Sequence, residues 1–278
     1  MTSVESPWRR RVRWLLQATS TLLLVYGGLL ALLWWKQEAL LFVPQKLPAE
    51  HRFQMGSDVH ESWVDVPGAR LNLLHLQLPQ AKGVVFFLHG NGGSLDNWFV
   101  NLDLYRRAGF DLVMLDYRGY GKSSGRIESE AQLHADVRAA WNAVAARYTG
   151  RPRVFFGRSL GTGLAVALAH EVQPDLTVLV SPYFSMQALA AEHYPWVPGA
   201  LLRYPLRSDL LLPQLRGPVL LVHGERDSLI EPSHSQRLLA LRPQSRYVVV
   251  PGAGHNDLQG FAAYADALAV SLAALAPP

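Results

Sequence analysis

From Leu15 to Trp35 the chain carries no charged side chain for twenty-one residues. At about 1.5 Å of rise per residue, a helix of that length matches a hydrocarbon layer of roughly 30 Å. Trp14 precedes the run and Trp34 and Trp35 close it, where interfacial aromatic anchors belong. The polar residues Gln17, Thr19, Ser20 and Thr21 gather toward one end, whereas a buried core helix would line them along one face. A cleaved leader would need a small-x-small site after its apolar region, and the large residues Leu32, Leu33, Trp34 and Trp35 stand there instead. The pattern therefore predicts a basic tail over 1–14 and an uncleaved anchor over 15–35.

Beyond the anchor the periodicity changes. Ala39 to Pro44 continues apolar and is expected to leave along the membrane interface. Glu61 to Val66 and Arg70 to Leu76 are short β-type runs around Pro67-Gly68, a hairpin signature. Gly83 to Leu88, Phe110 to Leu115, Val154 to Phe156, Leu176 to Val180, Pro218 to Val222 and Tyr247 to Val250 read as strands, and their unbroken apolar character suits burial on both faces. Helices are predicted between them over 94–108, 129–148, 160–170, 232–241 and 257–275. Such alternation implies a mostly parallel sheet with helices on both faces and right-handed crossovers. One segment, 181–217, breaks the rhythm. Five prolines and five aromatic residues, among them Tyr183, Tyr194 and Trp196, predict a small cap that offers apolar surface to a substrate; the plainer reading is a proline-rich loop that only packs.

Charge and composition narrow the partners. The net charge of +4 could suggest a nucleic-acid binder, but Arg9, Arg10, Arg11 and Arg13 against Glu5 leave only +1 beyond residue 14. The basic excess is local and suits a lipid surface, with no nucleic acid expected. By the positive-inside rule it holds the N-terminus in the cytoplasm and puts the rest of the chain on the far side of the membrane. There is no cysteine, which removes disulfides, thiol nucleophiles and thiolate metal sites, and no other metal-ligand spacing stands out.

The chemistry centres on Gly157-Arg158-Ser159-Leu160-Gly161, between a β-rich run and a helix of small residues. In a turn that tight the positions two before and two after the serine must lack side chains, and Ser159 is lifted clear at a helix N-terminus. Serine needs a general base. His255 lies in the glycine-rich loop Gly252-Ala253-Gly254-His255 after the last strand. The orienting carboxylate is expected to be Asp227, with Glu225 as the fallback, while Asp257 stands too near His255 in sequence. Oxyanion donors are expected from the backbone amides of Leu160 and Asn91, the latter in His89-Gly90-Asn91-Gly92-Gly93. Asp116, Tyr117, Arg118 and Lys122 read as a loop tied by local charge pairs, and Arg158 as either an anion contact or a salt-bridge partner.

With the stretches His89-Gly90-Asn91-Gly92-Gly93, Asp116-Tyr117-Arg118-Gly119-Tyr120-Gly121-Lys122-Ser123, Gly157 to Gly161, His223-Gly224-Glu225-Arg226-Asp227 and Gly252 to Asp257, the chain resembles the α/β hydrolases. More narrowly it resembles membrane-anchored serine hydrolases related to the α/β-hydrolase-domain lipases and depalmitoylases, which the Leu40 to Pro44 exit and His193-Tyr194-Pro195 also fit. The resemblance implies a linker over 36–58, an α/β-hydrolase domain over 59–278 with a cap at 181–217, and triad hydrolysis without cofactor or metal. The fold hosts many chemistries, and it is the anchor with the aromatic cap that suits a lipid-like or small acyl ester or thioester as substrate, with peptide hydrolysis as the enzymatic alternative. A catalytically idle membrane scaffold is the non-enzymatic one.

Overall fold

The computed structural model describes residues 6–275. Eight strands form one sheet: β1 (Val59–Val66), β2 (Ala69–Leu76), β3 (Gly83–Leu88), β4 (Phe110–Leu115), β5 (Arg153–Arg158), β6 (Leu176–Val180), β7 (Val219–Gly224) and β8 (Arg246–Val250). Their order across the sheet is β8-β7-β6-β5-β3-β4-β2-β1. The β1–β2 hairpin and the β2–β4 pair are antiparallel, and every other pairing is parallel. A two-residue turn, Pro67-Gly68, closes the hairpin, with Gly68 at φ +76°.

Burial of both faces follows from the alternation within each strand. Val84, Phe86 and Leu88 of β3 join one core with Phe155, Trp141 and Leu164, whereas Val85 and Phe87 join a second core with Phe156, Tyr264 and Leu268. The first core is covered by α4 (Glu130–Ala145) and α5 (Leu160–Val172), and the second by α3 (Leu102–Ala108) and α9 (Ala262–Ala273). The prolonged apolar runs of β3 to β7 are therefore strands with no solvent face, whereas the run Tyr247 to Val250 lies in the edge strand β8 and keeps Val249 exposed.

Helix α1 (Pro7–Leu41) is thirty-five residues long, with Ser6 Oγ accepting from the Arg9 amide at its start. It is long and apolar enough to cross a membrane, and its most apolar stretch is not buried against the rest of the protein. That distinguishes it from a core helix. The arginines at 9–13 and residues 36–41 continue this helix on either side of the uncharged run, and the first five residues of the expected tail lie outside the described residues. Beyond the helix, Val43–Pro44 pairs in parallel with Gly92–Gly93.

Three predicted helices differ in detail. Residues 94–108 form two pieces, α2 (Leu95–Trp98) and α3, because Phe99 is buried and Asn101 adopts φ +56°, a conformation that asparagine tolerates. Helix α4 ends at Ala145 and passes into a single 3-10 turn ending at Tyr148. The last helix begins at Ala262, after a 3-10 turn over Leu258–Gly260 and an extended Phe261. Helix α8 (Pro232–Leu241) lies where the pattern placed it.

Segment 181–217 holds α6 (Met186–His193), α7 (Ser208–Leu211) and short 3-10 turns at Gly199–Leu201 and Leu212–Gln214. Its aromatics divide. Tyr183 and Tyr204 are wholly buried and serve the core, while Tyr194 and Trp196 face outward.

Candidate active site

The turn from β5 into α5 holds Ser159 at φ +50°, ψ −120°, a backbone that L-residues adopt at a cost of about 1–3 kcal/mol. The flanking glycines are required. A Cβ on Gly157 would stand 2.5 Å from the Gly161 carbonyl oxygen, and one on Gly161 would overlap the Leu88 carbonyl oxygen. A third requirement, not evident from the spacing, is Gly163. Its amide donates at 3.2 Å to the Tyr183 hydroxyl, which donates in turn to the Leu160 carbonyl at 2.9 Å, so a buried tyrosine from the segment after β6 ties down the first turn of α5.

Ser159 Oγ lies 3.0 Å from His255 Nε2, and His255 Nδ1 lies 2.8 Å from Asp227 Oδ2. The three residues come from loops after β5, β8 and β7, all beyond the carboxyl ends of parallel strands. The other oxygen of Asp227 accepts the Leu229 and Ile230 amides at 3.1 and 2.9 Å. Burial by itself would raise the Asp227 carboxyl, but hydrogen bonds from His223, His255 and the Ile230 amide outweigh it and hold the group far below the usual carboxylate range. It is an anion, so the proton between it and His255 resides on Nδ1, leaving Nε2 free to accept from the serine hydroxyl.

His223 is a member of this cluster that the sequence did not single out. It is fully buried, 2.7 Å from the Ile230 carbonyl through Nε2 and 3.4 Å from Asp227 Oδ2 through the same atom, while Nδ1 faces Ser235 Oγ at 2.6 Å. The carbonyl partner makes Nε2 the donor. The signal for it was its place at the end of β7, four residues before Asp227. Glu225, the fallback acid, points elsewhere and accepts the Gly252 amide, and Asp257 accepts the Gly254 amide; both shape the loops that carry Asp227 and His255.

Leu160 opens α5, so its amide has no acceptor within the helix. Asn91 is held from its other side: its carbonyl accepts the Val43 amide at 2.9 Å and the Tyr120 hydroxyl at 2.6 Å. The glycine before it packs against the serine, a Cβ on Gly90 falling 3.7 Å from Ser159 Cβ. Tyr117 donates to the His89 carbonyl at 2.9 Å and completes an aromatic wall around that histidine with Trp98 and Tyr120.

The charged loop after β4 is held not by the local charge pairs expected but by partners on α4, β1 and α2. Arg118 forks onto Asp136 at 2.5 and 2.8 Å, Lys122 meets Glu61 at 2.7 Å, and Asp116 accepts the Leu95 amide at 3.0 Å. Arg158 is different. It is buried, and among the described residues no carboxylate stands within ion-pairing distance. The salt-bridge expectation is therefore overturned: the guanidinium donates to Gln259 Oε1 at 2.8 Å and to the His255 carbonyl at 2.7 Å, and desolvation pushes its pKa down. It also lines a cavity of about 980 Å³ with Trp98, Leu102, Asn256, Gln259 and Tyr264. Among the described residues no group of three or more His, Asp or Glu side chains is arranged to hold a metal.

A family model described as serine aminopeptidase, S33, matches residues 79–210. An uncharacterised protein of Mycobacterium tuberculosis is 34% identical over 247 residues, covering 84% of this chain and 85% of its own. Human alpha/beta hydrolase domain-containing protein 17B is 33% identical over 199 residues, which span 68% of this chain and 66% of that protein. Among solved structures, an esterase of Pyrococcus furiosus superposes with a TM-score of 0.67 at 16% identity over 85% of this chain and 98% of its own. A thioesterase domain from the curacin biosynthetic pathway gives 0.55 at 20% identity over 78% and 98%.

Proposed function

Because the chain belongs to the α/β-hydrolase superfamily, we propose that it is a membrane-anchored serine hydrolase cleaving carboxylic esters or thioesters, with lipid-like acyl groups favoured. The observation that carries this reading is the continuous relay from Ser159 Oγ through His255 to Asp227, at 3.0 and 2.8 Å, on a strained elbow. His255 Nε2 takes the hydroxyl proton as Oγ attacks the acyl carbonyl, and Asp227 stabilises the imidazolium formed. The Leu160 and Asn91 amides receive the oxyanion, a donor of this kind being worth about a hundred- to a thousandfold in rate. The imidazolium then returns its proton to the leaving alcohol or thiol. Water enters by the same base and releases the acid from the acyl-enzyme.

The membrane part of the proposal rests on α1 and the charges around it. Arg9, Arg10, Arg11 and Arg13 keep the N-terminus cytoplasmic and put the catalytic domain on the far side. Peptide hydrolysis is the second reading, favoured by the description of the matching family model. The test is hydrolysis of p-nitrophenyl esters from acetate to palmitate by the detergent-purified full chain beside Ser159→Ala. Activity that rises with chain length and vanishes in the variant supports the proposal. Cleavage of aminoacyl or peptidyl substrates with no ester turnover at any length overturns it in favour of the peptidase.

A further inference from the structure

The outward-facing run Tyr194 to Leu202, Tyr-Pro-Trp-Val-Pro-Gly-Ala-Leu-Leu, contains no charged side chain, and Tyr194 and Trp196 remain 56% and 44% exposed. A stretch this apolar is seldom left to water. It is fastened to α1 at two levels. Near its tip the Tyr26 hydroxyl donates to the Trp196 carbonyl at 2.8 Å. At its end the Gln37 side chain donates to the Leu201 carbonyl at 2.8 Å and accepts the Arg203 amide at 2.8 Å, pairing with the segment as a strand would.

The two levels fix a depth. Tyr26 lies within the uncharged run that matches the hydrocarbon layer, whereas Arg203 lies over the Trp34 ring at 5.1 Å and pairs with Glu38, at the height where aromatic and charged side chains mark the interface. Tyr26 lies eight residues before Trp34, about 12 Å along the helix, out of about 15 Å of hydrocarbon in one leaflet. We propose that Tyr194–Leu202 is a re-entrant element seated in the lipid acyl region beside α1, its partner being the bilayer itself.

The backbone suits that place. Pro195 and Pro198 bring no amide, and the Tyr194, Val197, Leu201 and Leu202 amides donate to carbonyls of Ala190, Tyr194, Pro198 and Gly199. Without such partners each polar group would cost several kcal/mol in hydrocarbon, so the Tyr26 and Gln37 contacts have a purpose there that they would lack in water. The consequence concerns substrate entry. The Asn91 loop accepts the Val43 amide only two residues after the helix end at Leu41, which keeps it close to the bilayer surface, so an acyl chain reaches Ser159 from the lipid rather than from bulk water. This last step rests on the proposed function, whereas the seat rests only on α1 being a span.

The test uses the full chain in phosphatidylcholine vesicles. Because the protein has no cysteine, single substitutions Pro195→Cys and Ala200→Cys can be labelled with an environment-sensitive fluorophore and quenched by lipids carrying a nitroxide on the acyl chain. Leu24→Cys reports the span and Arg126→Cys the water-exposed surface. The proposal predicts loss of most emission at 195, 200 and 24 and none at 126. Labels at 195 and 200 as bright as that at 126, with 24 quenched, overturn the seat while leaving the anchor in place; no quenching at 24 overturns both. Neither result depends on turnover, so failure of the enzymatic proposal is read separately.

Discussion

The Val43 amide donates to the Asn91 carbonyl at 2.9 Å, so the second residue after the N-terminal helix is bonded to the loop proposed to hold the oxyanion. The contact fixes the Asn91–Gly92 peptide by its carbonyl, and through Asn91 it steadies the adjoining peptide that carries the Asn91 amide. Val43→Pro deletes that donor in an exposed side-chain position. The expected result is a roughly tenfold fall in kcat on a short soluble ester, with KM little changed, as small displacements of a positioned group produce. Steady-state kinetics in detergent check it.

Asp227→Asn keeps the size of the side chain but no longer fixes the His255 tautomer. A loss of roughly ten-thousandfold in kcat is expected. The same variant reports on acid stability. The Asp227 carboxyl is held far below its ordinary value by His223, His255 and the Ile230 amide. A group lowered in this way contributes stability that is complete above the unfolded value, about pH 4, and is lost as the pH falls below it. Thermal midpoints measured from pH 7 to pH 3 should therefore drop more steeply for the natural protein than for Asp227→Asn.

Strand positions, the hairpin and the three residues of the relay were legible in the sequence because each rests on local rules: unbroken apolar runs, Pro67-Gly68, and chemistry after strand ends. What was not legible depends on partners distant in sequence. The course of Val43 is decided by Gly92–Gly93, the break at Asn101 by the burial of Phe99, and the roles of Tyr183 and Tyr204 by where the cap folds back. His223 was hidden because a histidine at a strand end has no distinguishing neighbour until Ser235, Ile230 and Asp227 are brought around it.

Arg158 is buried without a carboxylate, which burdens stability, yet it grips the His255 carbonyl. Arg158→Met retains the apolar stem. It is expected to melt below the natural temperature, with kcat falling about tenfold, because charged hydrogen bonds to Gln259 and the His255 carbonyl, worth roughly 1.5–3 kcal/mol each, are gone. Calorimetry and kinetics on one preparation check both halves, and Arg158→Lys should recover part of the rate.

Ser159 sits at φ +50°, where a Cβ is strained. Ser159→Gly should therefore unfold with a free energy about 1 kcal/mol higher than Ser159→Ala, although both are inactive. By contrast, Gly161→Ala would drive a methyl group into the Leu88 carbonyl and should destabilise by about 3 kcal/mol or fail to fold. Chemical denaturation of the variants ranks them.

The central claim is that Ser159 is an activated nucleophile, and the most direct measurement is intact-mass analysis of the full chain after brief exposure to a fluorophosphonate probe. A single adduct is expected, mapped by peptide sequencing to Ser159, with no adduct on Ser159→Ala and a strongly slowed reaction in Asp227→Asn. A natural protein that labels no faster than Ser159→Ala, or an adduct on another residue, would contradict the account.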